Sequence, residues 1–129
     1  AHPPGGRAMT APLPRLTKVR PGIALGPLER ITDGTARNYV LQVGEARFHG
    51  FVVRRGQTVH GYVDACPHAG LPLCQTLDDY LTPDAGLIRC QWHGALFDIA
   101  NGVCVGGPCP GASLTPWSVA VRDGQIFTA

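Results

Sequence analysis

The most regular hydrophobic pattern lies in the first half of the chain, where three consecutive segments are rich in β-branched and aromatic residues. These segments are residues 37–43, 47–55 and 58–63. Gly44 ends the first segment, and Gly56-Gln57 forms a turn between the second and the third. The predicted core residues of the middle segment are Phe48, Val52 and Val53. The pattern predicts three strands in an antiparallel meander.

The second half of the chain predicts shorter strands. They cover residues 86–89, 96–99, 103–105, 117–122 and 125–128, with Trp117 and Phe127 as predicted core residues. Asn101-Gly102 and Asp123-Gly124 are typical of two-residue hairpin turns. Only residues 75–81 suggest a helical turn. Four prolines predict an irregular lead-in over residues 10–30, with a short edge strand at 16–19. The predicted fold class is all-β.

Composition supports a small domain with many turns. The 129 residues suffice for one domain with a modest core, and 17 Gly with 12 Pro favour short strands over long helices. The formal net charge is +2, which gives no electrostatic basis for nucleic-acid binding. No apolar run has the length needed to span a bilayer. We therefore expect neither nucleic acid nor membrane as a partner.

The chain begins at Ala1 without an initiating Met, and its one Met is Met9. We interpret the first eight residues as an expression remnant, with a processed secretory N-terminus as the rival interpretation. Residues 1–12 are predicted to form a flexible lead-in, and residues 13–129 a single domain.

Two short motifs carry the chemistry. Cys66-Pro67-His68 and Cys90-Gln91-Trp92-His93 each pair a thiolate with an imidazole, and 21 residues separate them. Thiolates suit soft or cluster-bound iron, and imidazole suits zinc, copper or iron. Two Cys and two His can close a tetrahedral zinc site, or hold the two irons of a [2Fe–2S] cluster asymmetrically. The residue types alone leave both alternatives open.

The order of these residues favours the cluster. Zinc sites of the finger type usually present a pair of cysteines followed by a pair of histidines. Here each motif carries one of each, so two neighbouring loops can each give a Cys to one iron and a His to the other. Rieske clusters use this arrangement.

Three segments resemble the Rieske [2Fe–2S] family. Residues 66–70 and 90–98 resemble its two ligand loops, and residues 102–108 resemble the proline-bearing loop that covers the cluster. The resemblance extends over roughly residues 13–128 and implies one cluster. It implies Cys66 and Cys90 on the inner iron, with His68 and His93 on the outer iron. The implied fold is an antiparallel sandwich with a base and an inserted cluster-binding lobe. The base comprises residues 13–64 and 112–129, and the lobe comprises residues 65–111.

Departures from the high-potential members of the family predict a low reduction potential. Those members place Ser and Tyr hydroxyls after the second ligand pair, where this chain has Ala95 and Phe97. They also join the ligand loops by a disulfide at the positions of Leu71 and Trp92, which cannot form one. Mixed ligation still raises the potential above that of an all-Cys cluster. We expect the potential to fall as pH rises through the ionisations of the ligand imidazoles.

The surface near the cluster is predicted to be small and apolar. Its predicted members are Pro67, Ala69, Gly70, Leu71, Pro72, Trp92 and Pro108. Such a rim suits a brief docking contact and also shields the cluster from water. The span between the ligand pairs is longer than in the small Rieske ferredoxins around residues 77–85. The extra residues either contribute to partner docking or form a passive surface insertion.

The remaining candidates receive plainer interpretations. His49 and His60 lie within strand patterns and are predicted to be ordinary side chains. The three other cysteines are Cys74, Cys104 and Cys109. Packing thiols are preferred for the last two over a local disulfide, and a redox-sensitive role for Cys74 is disfavoured. An odd set of thiols fits a reducing compartment, so we expect a cytoplasmic location.

The resemblance implies a one-electron carrier similar to the ferredoxin components of multicomponent ring-hydroxylating dioxygenases. It would take electrons from a flavin reductase and pass them to an oxygenase, as a monomer in transient complexes and without a substrate-converting site of its own. One alternative is a Rieske-type small subunit similar to that of nitrite reductase, although many of those lack ligands that are intact here. Another is a zinc-binding structural or redox-sensing module.

Overall fold

The computed structural model describes residues 15–67, 72–73, 77–92, 94–108 and 111–129. Eleven strands in these ranges form three sheets, which confirms the predicted all-β class. The strands are β1 (Arg15–Leu16), β2 (Ala24–Pro27), β3 (Ala36–Val43), β4 (Ala46–Arg55), β5 (Thr58–Val63), β6 (Ile88–Arg89), β7 (Leu96–Phe97), β8 (Cys104–Gly106), β9 (Pro116–Trp117), β10 (Val119–Arg122) and β11 (Gln125–Thr128). Within these ranges the one helical element is a 3-10 turn at Leu28–Arg30, and they contain no helix long and apolar enough to cross a membrane.

The predicted meander forms the centre of a five-stranded sheet. β4 pairs antiparallel with β3 along one edge and with β5 along the other. β1 pairs parallel with the start of β4, and β9 pairs antiparallel with β5. The observed strands lie within one residue of the predicted ones at each end.

Two predictions about the chain ends are wrong. The lead-in contains strand β2, which pairs antiparallel with β11 and completes a three-stranded sheet in the order β10-β11-β2. β2 is an edge strand, a position in a sheet that tolerates a proline such as Pro27. The predicted strand 117–122 divides at Ser118, so that β9 joins the five-stranded sheet and β10 the three-stranded one. A switch between sheets is a tertiary event that alternation along one strand does not reveal.

The five-stranded sheet separates two hydrophobic cores. Successive strand side chains point to opposite faces, and β4 uses both. Phe48 and Val52 pack with Trp117 and Ile126 on the side of the β10-β11-β2 sheet. Phe51 and Val53 pack into a second core with residues of the chain after β5. Phe48, Val52, Val53 and Trp117 are buried as predicted, whereas Phe127 is only half-buried beneath the guanidinium of Arg122.

The third sheet, β6-β7-β8, consists of strands of two or three residues and carries the second motif. The predicted two-residue turn at Asn101-Gly102 is wrong. Among these two residues only Gly102 has a positive φ, and the matching turn requires both. The side chain of Asp98 instead accepts hydrogen bonds from the N–H groups of Ala100 (2.7 Å) and Asn101 (3.3 Å), which produces a longer connection.

The predicted helical turn at 75–81 is not seen in its described part, residues 77–81. Leu81 forms an isolated antiparallel bridge with Ile88 instead. Residues 75 and 76, the first two of the predicted helical turn, lie outside the described residues.

Candidate metal centre

The first motif begins at Cys66, three residues after the end of β5 at Val63. The N–H of Asp64 donates to the carbonyl of His49 (2.9 Å), so the ladder to β4 continues one residue beyond the strand. Cys66 is buried at 1% exposure, whereas Pro67 is exposed. His68 lies outside the described residues. A buried thiol and an exposed proline place the start of this loop at the boundary between core and surface.

The second motif occupies the connection between β6 and β7. Cys90 is fully buried, its N–H donates to the carbonyl of Ala95 (2.8 Å), and its carbonyl accepts from the N–H of Gly94 (2.9 Å). These two bonds join Cys90 to the residues that follow the motif, and Gly94 supplies a positive φ of 73° that favours glycine. His93 itself lies outside the described residues.

A short segment, Pro72 and Leu73, joins the two motifs. The N–H of Leu73 donates to the side chain of Asp64 (2.9 Å), and its carbonyl accepts from the N–H of Gln91 (2.7 Å). The indole Nε1–H of Trp92 donates to the carbonyl of Pro72 (2.7 Å). The segment is therefore bonded on one side to the residues before Cys66 and on the other to the residues after Cys90.

A buried carboxylate lies two residues before Cys66. Asp64 is 5% exposed and accepts hydrogen bonds from the hydroxyl of Tyr80 (2.8 Å) and from Asn38 Nδ2 (3.3 Å). Asn38 also donates to the Tyr80 oxygen (2.8 Å), and the Tyr80 ring stacks on Phe51 with centroids 4.1 Å apart. Burying a carboxylate is costly unless it is hydrogen-bonded, so these donors stabilise it in place.

The sequence analysis missed both Asp64 and Tyr80. A signal was present: Asp64 follows the apolar run Tyr62-Val63 and lies two residues before the motif that begins at Cys66. A charged residue at the buried end of a strand requires partners, and those partners are not visible from the strand alone.

The loop after β8 packs against the second motif. A Cβ on Gly107 would lie 2.7 Å from Ala95 Cα and 2.9 Å from the Gly94 carbonyl oxygen, so only glycine permits this approach. The buried thiol of Cys104 donates to the Gly106 carbonyl (3.2 Å), which fits the predicted packing role. Cys74 and Cys109 lie outside the described residues.

The loop between β7 and β8 is fixed to the five-stranded sheet through Tyr62. Its hydroxyl donates to the Ile99 carbonyl (2.6 Å), and a Cβ on Gly102 would lie 2.7 Å from its ring. Burial first, and the carboxylate of Asp98 second, raise the pKa of Tyr62 to about 12. Tyr62 therefore remains a neutral hydrogen-bond donor.

The residues around the two motifs form a partly apolar surface. Pro67 and Pro108 are exposed, Trp92 is 46% exposed and Pro72 is half-buried. Ala69, Gly70 and Leu71 lie outside the described residues. Ala95 and Phe97, whose side chains offer no hydroxyl group, are both fully buried.

The family model of the Rieske [2Fe-2S] domain matches residues 26–122, three quarters of the chain. The chain belongs to the Rieske [2Fe-2S] family. It is 30% identical over 96 residues to ferredoxin CarAc of Metapseudomonas resinovorans, covering 74% of this chain and 81% of that protein. The earlier expectation of membership is confirmed.

Solved structures show the same fold. The Rieske chain matches a chain in a complex of reduced oxygenase and oxidized ferredoxin in carbazole 1,9a-dioxygenase with TM-score 0.65 and 25% identity. That match covers 83% of this chain and 100% of the other. A ferredoxin of carbazole 1,9a-dioxygenase from Nocardioides aromaticivorans IC177 matches with TM-score 0.65 and 22% identity, over 86% of this chain and 98% of that one.

The Rieske chain thus carries one [2Fe–2S] cluster and transfers single electrons. The described residues fit that cofactor, because the two cysteines of the motifs are buried where thiolates can hold iron away from water. The tightly packed glycine at 107 also brings backbone close to the second motif.

Proposed function

We propose that this protein is the ferredoxin component of a multicomponent oxygenase, accepting an electron from a flavin reductase and passing it to a terminal oxygenase. The observation that carries the proposal is the similarity to ferredoxin CarAc, which extends over 81% of that protein. All four ligand positions, Cys66, His68, Cys90 and His93, are intact in the sequence.

The four ligands have distinct tasks. The cluster, when bound, supplies a one-electron redox couple. The buried thiolates of Cys66 and Cys90 would hold the inner iron, and the imidazoles of His68 and His93 would hold the outer iron. A ligand imidazole keeps a second nitrogen that can hold or release a proton, which couples the reduction potential to pH.

The protein around the cluster favours a potential low in the family range. Ala95 and Phe97 provide no hydroxyl to donate to sulfur, and both are buried in the packed lobe. Donors to cluster sulfur stabilise the reduced state, so their absence lowers the potential.

Transient docking at the apolar rim suits a monomeric electron shuttle. Exposed Trp92, Pro67 and Pro108 offer a small surface, and small interfaces are typical of redox encounters. A partner that docks there would lie close to His68 and His93, the proposed ligands of the outer iron.

The proposed architecture is a base of residues 13–64 and 112–129 that supports a cluster-binding lobe of residues 65–111, preceded by a lead-in of residues 1–12. The two cores on opposite faces of β4 support this division. We place the protein in the cytoplasm, because the Cys104 thiol acts as a hydrogen-bond donor and suits a reducing compartment.

An EPR-monitored redox titration tests the function and the ligands together. The purified protein is expected to give a reduced signal of low average g, with a potential toward the lower end of roughly −150 to +300 mV. Cys90→Ser should abolish the signal, whereas Cys104→Ser, which replaces another buried cysteine, should retain it. A potential near the upper end contradicts the argument from Ala95 and Phe97. Zinc without acid-labile sulfide would overturn the cluster assignment.

A further inference from the structure

Trp92 lies between two proposed ligands, Cys90 and His93, and its ring is 46% exposed. The indole N–H of such a side chain can be satisfied by water. Here it donates instead to the main-chain carbonyl of Pro72, at 2.7 Å, on the other side of the site. The second tryptophan, Trp117, shows the contrast: its Nε1 is buried and has no hydrogen-bond partner among the described residues.

The bond from Trp92 belongs to a pair. Gln91 precedes Trp92, and Leu73 follows Pro72. The backbone N–H of Gln91 donates to the carbonyl of Leu73 at 2.7 Å. Two neighbouring carbonyls of the first loop thus accept from two neighbouring residues of the second. The N–H of Leu73 is in turn bonded to Asp64, so the first loop is fixed at its base.

We propose that Trp92 is a positioning residue that links the two ligand loops through its N–H···O bond to Pro72, in place of a covalent bridge. The proposal rests on the ligand assignment above. The link, called here the interloop tie, joins the peptide between Cys90 and His93 to the segment that follows Cys66. It fixes the separation of the two loops, and with it the geometry of whatever they hold.

The tie differs from a disulfide in its chemistry. A disulfide between loops opens in a reducing compartment, whereas an indole N–H···O=C bond does not depend on the redox state of the surroundings. Because the indole ring has only two side-chain torsions, forming the bond orders few degrees of freedom. The interloop tie therefore suits a cluster protein that functions among reduced thiols.

The test compares three variants with the wild type, each as the intact cluster-loaded protein. Trp92→Phe removes the N–H and part of the ring, and site-specific benzothienylalanine at position 92 removes the N–H while keeping the ring shape. Val43→Ala is the matched control, because Val43 is an exposed apolar residue of β3, in the base, with 45% exposure against 46% for Trp92. The readouts are the rate of cluster loss in chelator, the EPR line shape, the reduction potential and the denaturant midpoint by circular dichroism.

Both changes at position 92 should accelerate cluster loss about two- to tenfold, the range that one net hydrogen bond represents. They should also broaden the EPR lines or shift the potential, while the denaturant midpoint stays at the wild-type value. Val43→Ala should leave all four readouts unchanged. Broadened lines at an unchanged midpoint indicate altered loop positions rather than general destabilisation.

Three outcomes overturn the interloop tie. One is wild-type cluster loss and EPR in Trp92→Phe, and another is an equal acceleration in Val43→Ala. The third is acceleration in Trp92→Phe but not with benzothienylalanine, which assigns the effect to ring packing. A wild-type protein without a Rieske signal would instead contradict the proposed function, so the two failures are distinguishable.

Discussion

The base and the region around the third sheet are stabilised in different ways. The central strands of the base, β3, β4 and β5, have six to ten residues and pair in continuous register. The strands of the third sheet have two or three residues. Such short ladders contribute few hydrogen bonds, so other contacts must determine the shape of the loops that carry the two motifs.

Side-chain hydrogen bonds to the backbone supply those contacts. Asp64 fixes Leu73, Trp92 fixes Pro72, and Asp98 fixes the connection from β7 to β8. Gln91 adds a bond from Nε2 to the side chain of Asp79 at 2.6 Å. Continuous strand pairing therefore determines the base, whereas the loops depend on individual polar contacts in addition to the buried core beneath them.

The largest expected effect comes from the base core. Phe48 is fully buried, with its ring 4.7 Å from that of Trp117. Phe48→Ala should lower the free energy of unfolding by about 3–5 kcal/mol, because it leaves a cavity in a packed core. Urea denaturation monitored by circular dichroism measures this. The whole fold should unfold at a lower urea concentration in one transition. Loss of the cluster at an unchanged unfolding midpoint would contradict the comparison.

A smaller effect is expected where a polar contact determines the loops. Tyr80→Phe removes the hydroxyl that donates to buried Asp64, and should cost about 1–3 kcal/mol. Cluster loss in chelator should accelerate at the same time, because Asp64 then holds Leu73 less firmly.

Tyr39→Phe provides the matched control for Tyr80→Phe. The Tyr39 hydroxyl is buried without a hydrogen-bond partner among the described residues, and burial is the main reason that its pKa is raised. Removing this hydroxyl should be neutral or slightly stabilising, and it should leave cluster loss unchanged. Equal costs for the two Tyr→Phe variants would show that Asp64 does not depend on Tyr80.

The smallest effect concerns pH. Burial chiefly, then the Arg15 guanidinium, lower the pKa of His49 below its ordinary 6.5, with Arg47 acting in the same direction and Asp64 in the opposite one. The unfolded chain therefore binds the proton more readily than the folded protein. This contribution to stability is complete above about pH 6.5 and is lost as pH falls toward the folded pKa.

His49→Gln should reduce the drop in denaturant midpoint between about pH 7.5 and 5.5 by a small amount. The midpoints of both proteins, measured across this range at constant ionic strength, check the prediction. Parallel curves for the two proteins would show that His49 protonates equally in the folded and unfolded states.

Local pattern predicted the base well because its strands follow one another and pair with their neighbours. Residues 58–63 and 125–128 were predicted with the observed bounds. The edge strand β2 was missed because its partner, β11, lies about a hundred residues later in the chain. The assignments of His68 and His93 remain predictions, since both lie outside the described residues.

Alternation and motif spacing are local properties, so they suffice to predict the all-β class, the meander and the motifs that indicate a Rieske cluster. Three other features are visible only in the folded chain: the division at Ser118 between two sheets, the burial of Asp64 against Tyr80, and the bond from Trp92 to Pro72. Each of these depends on residues that are distant in sequence and meet only when β4 presents both faces to packed cores. A hydrogen bond between distant residues leaves no periodic signal in the chain.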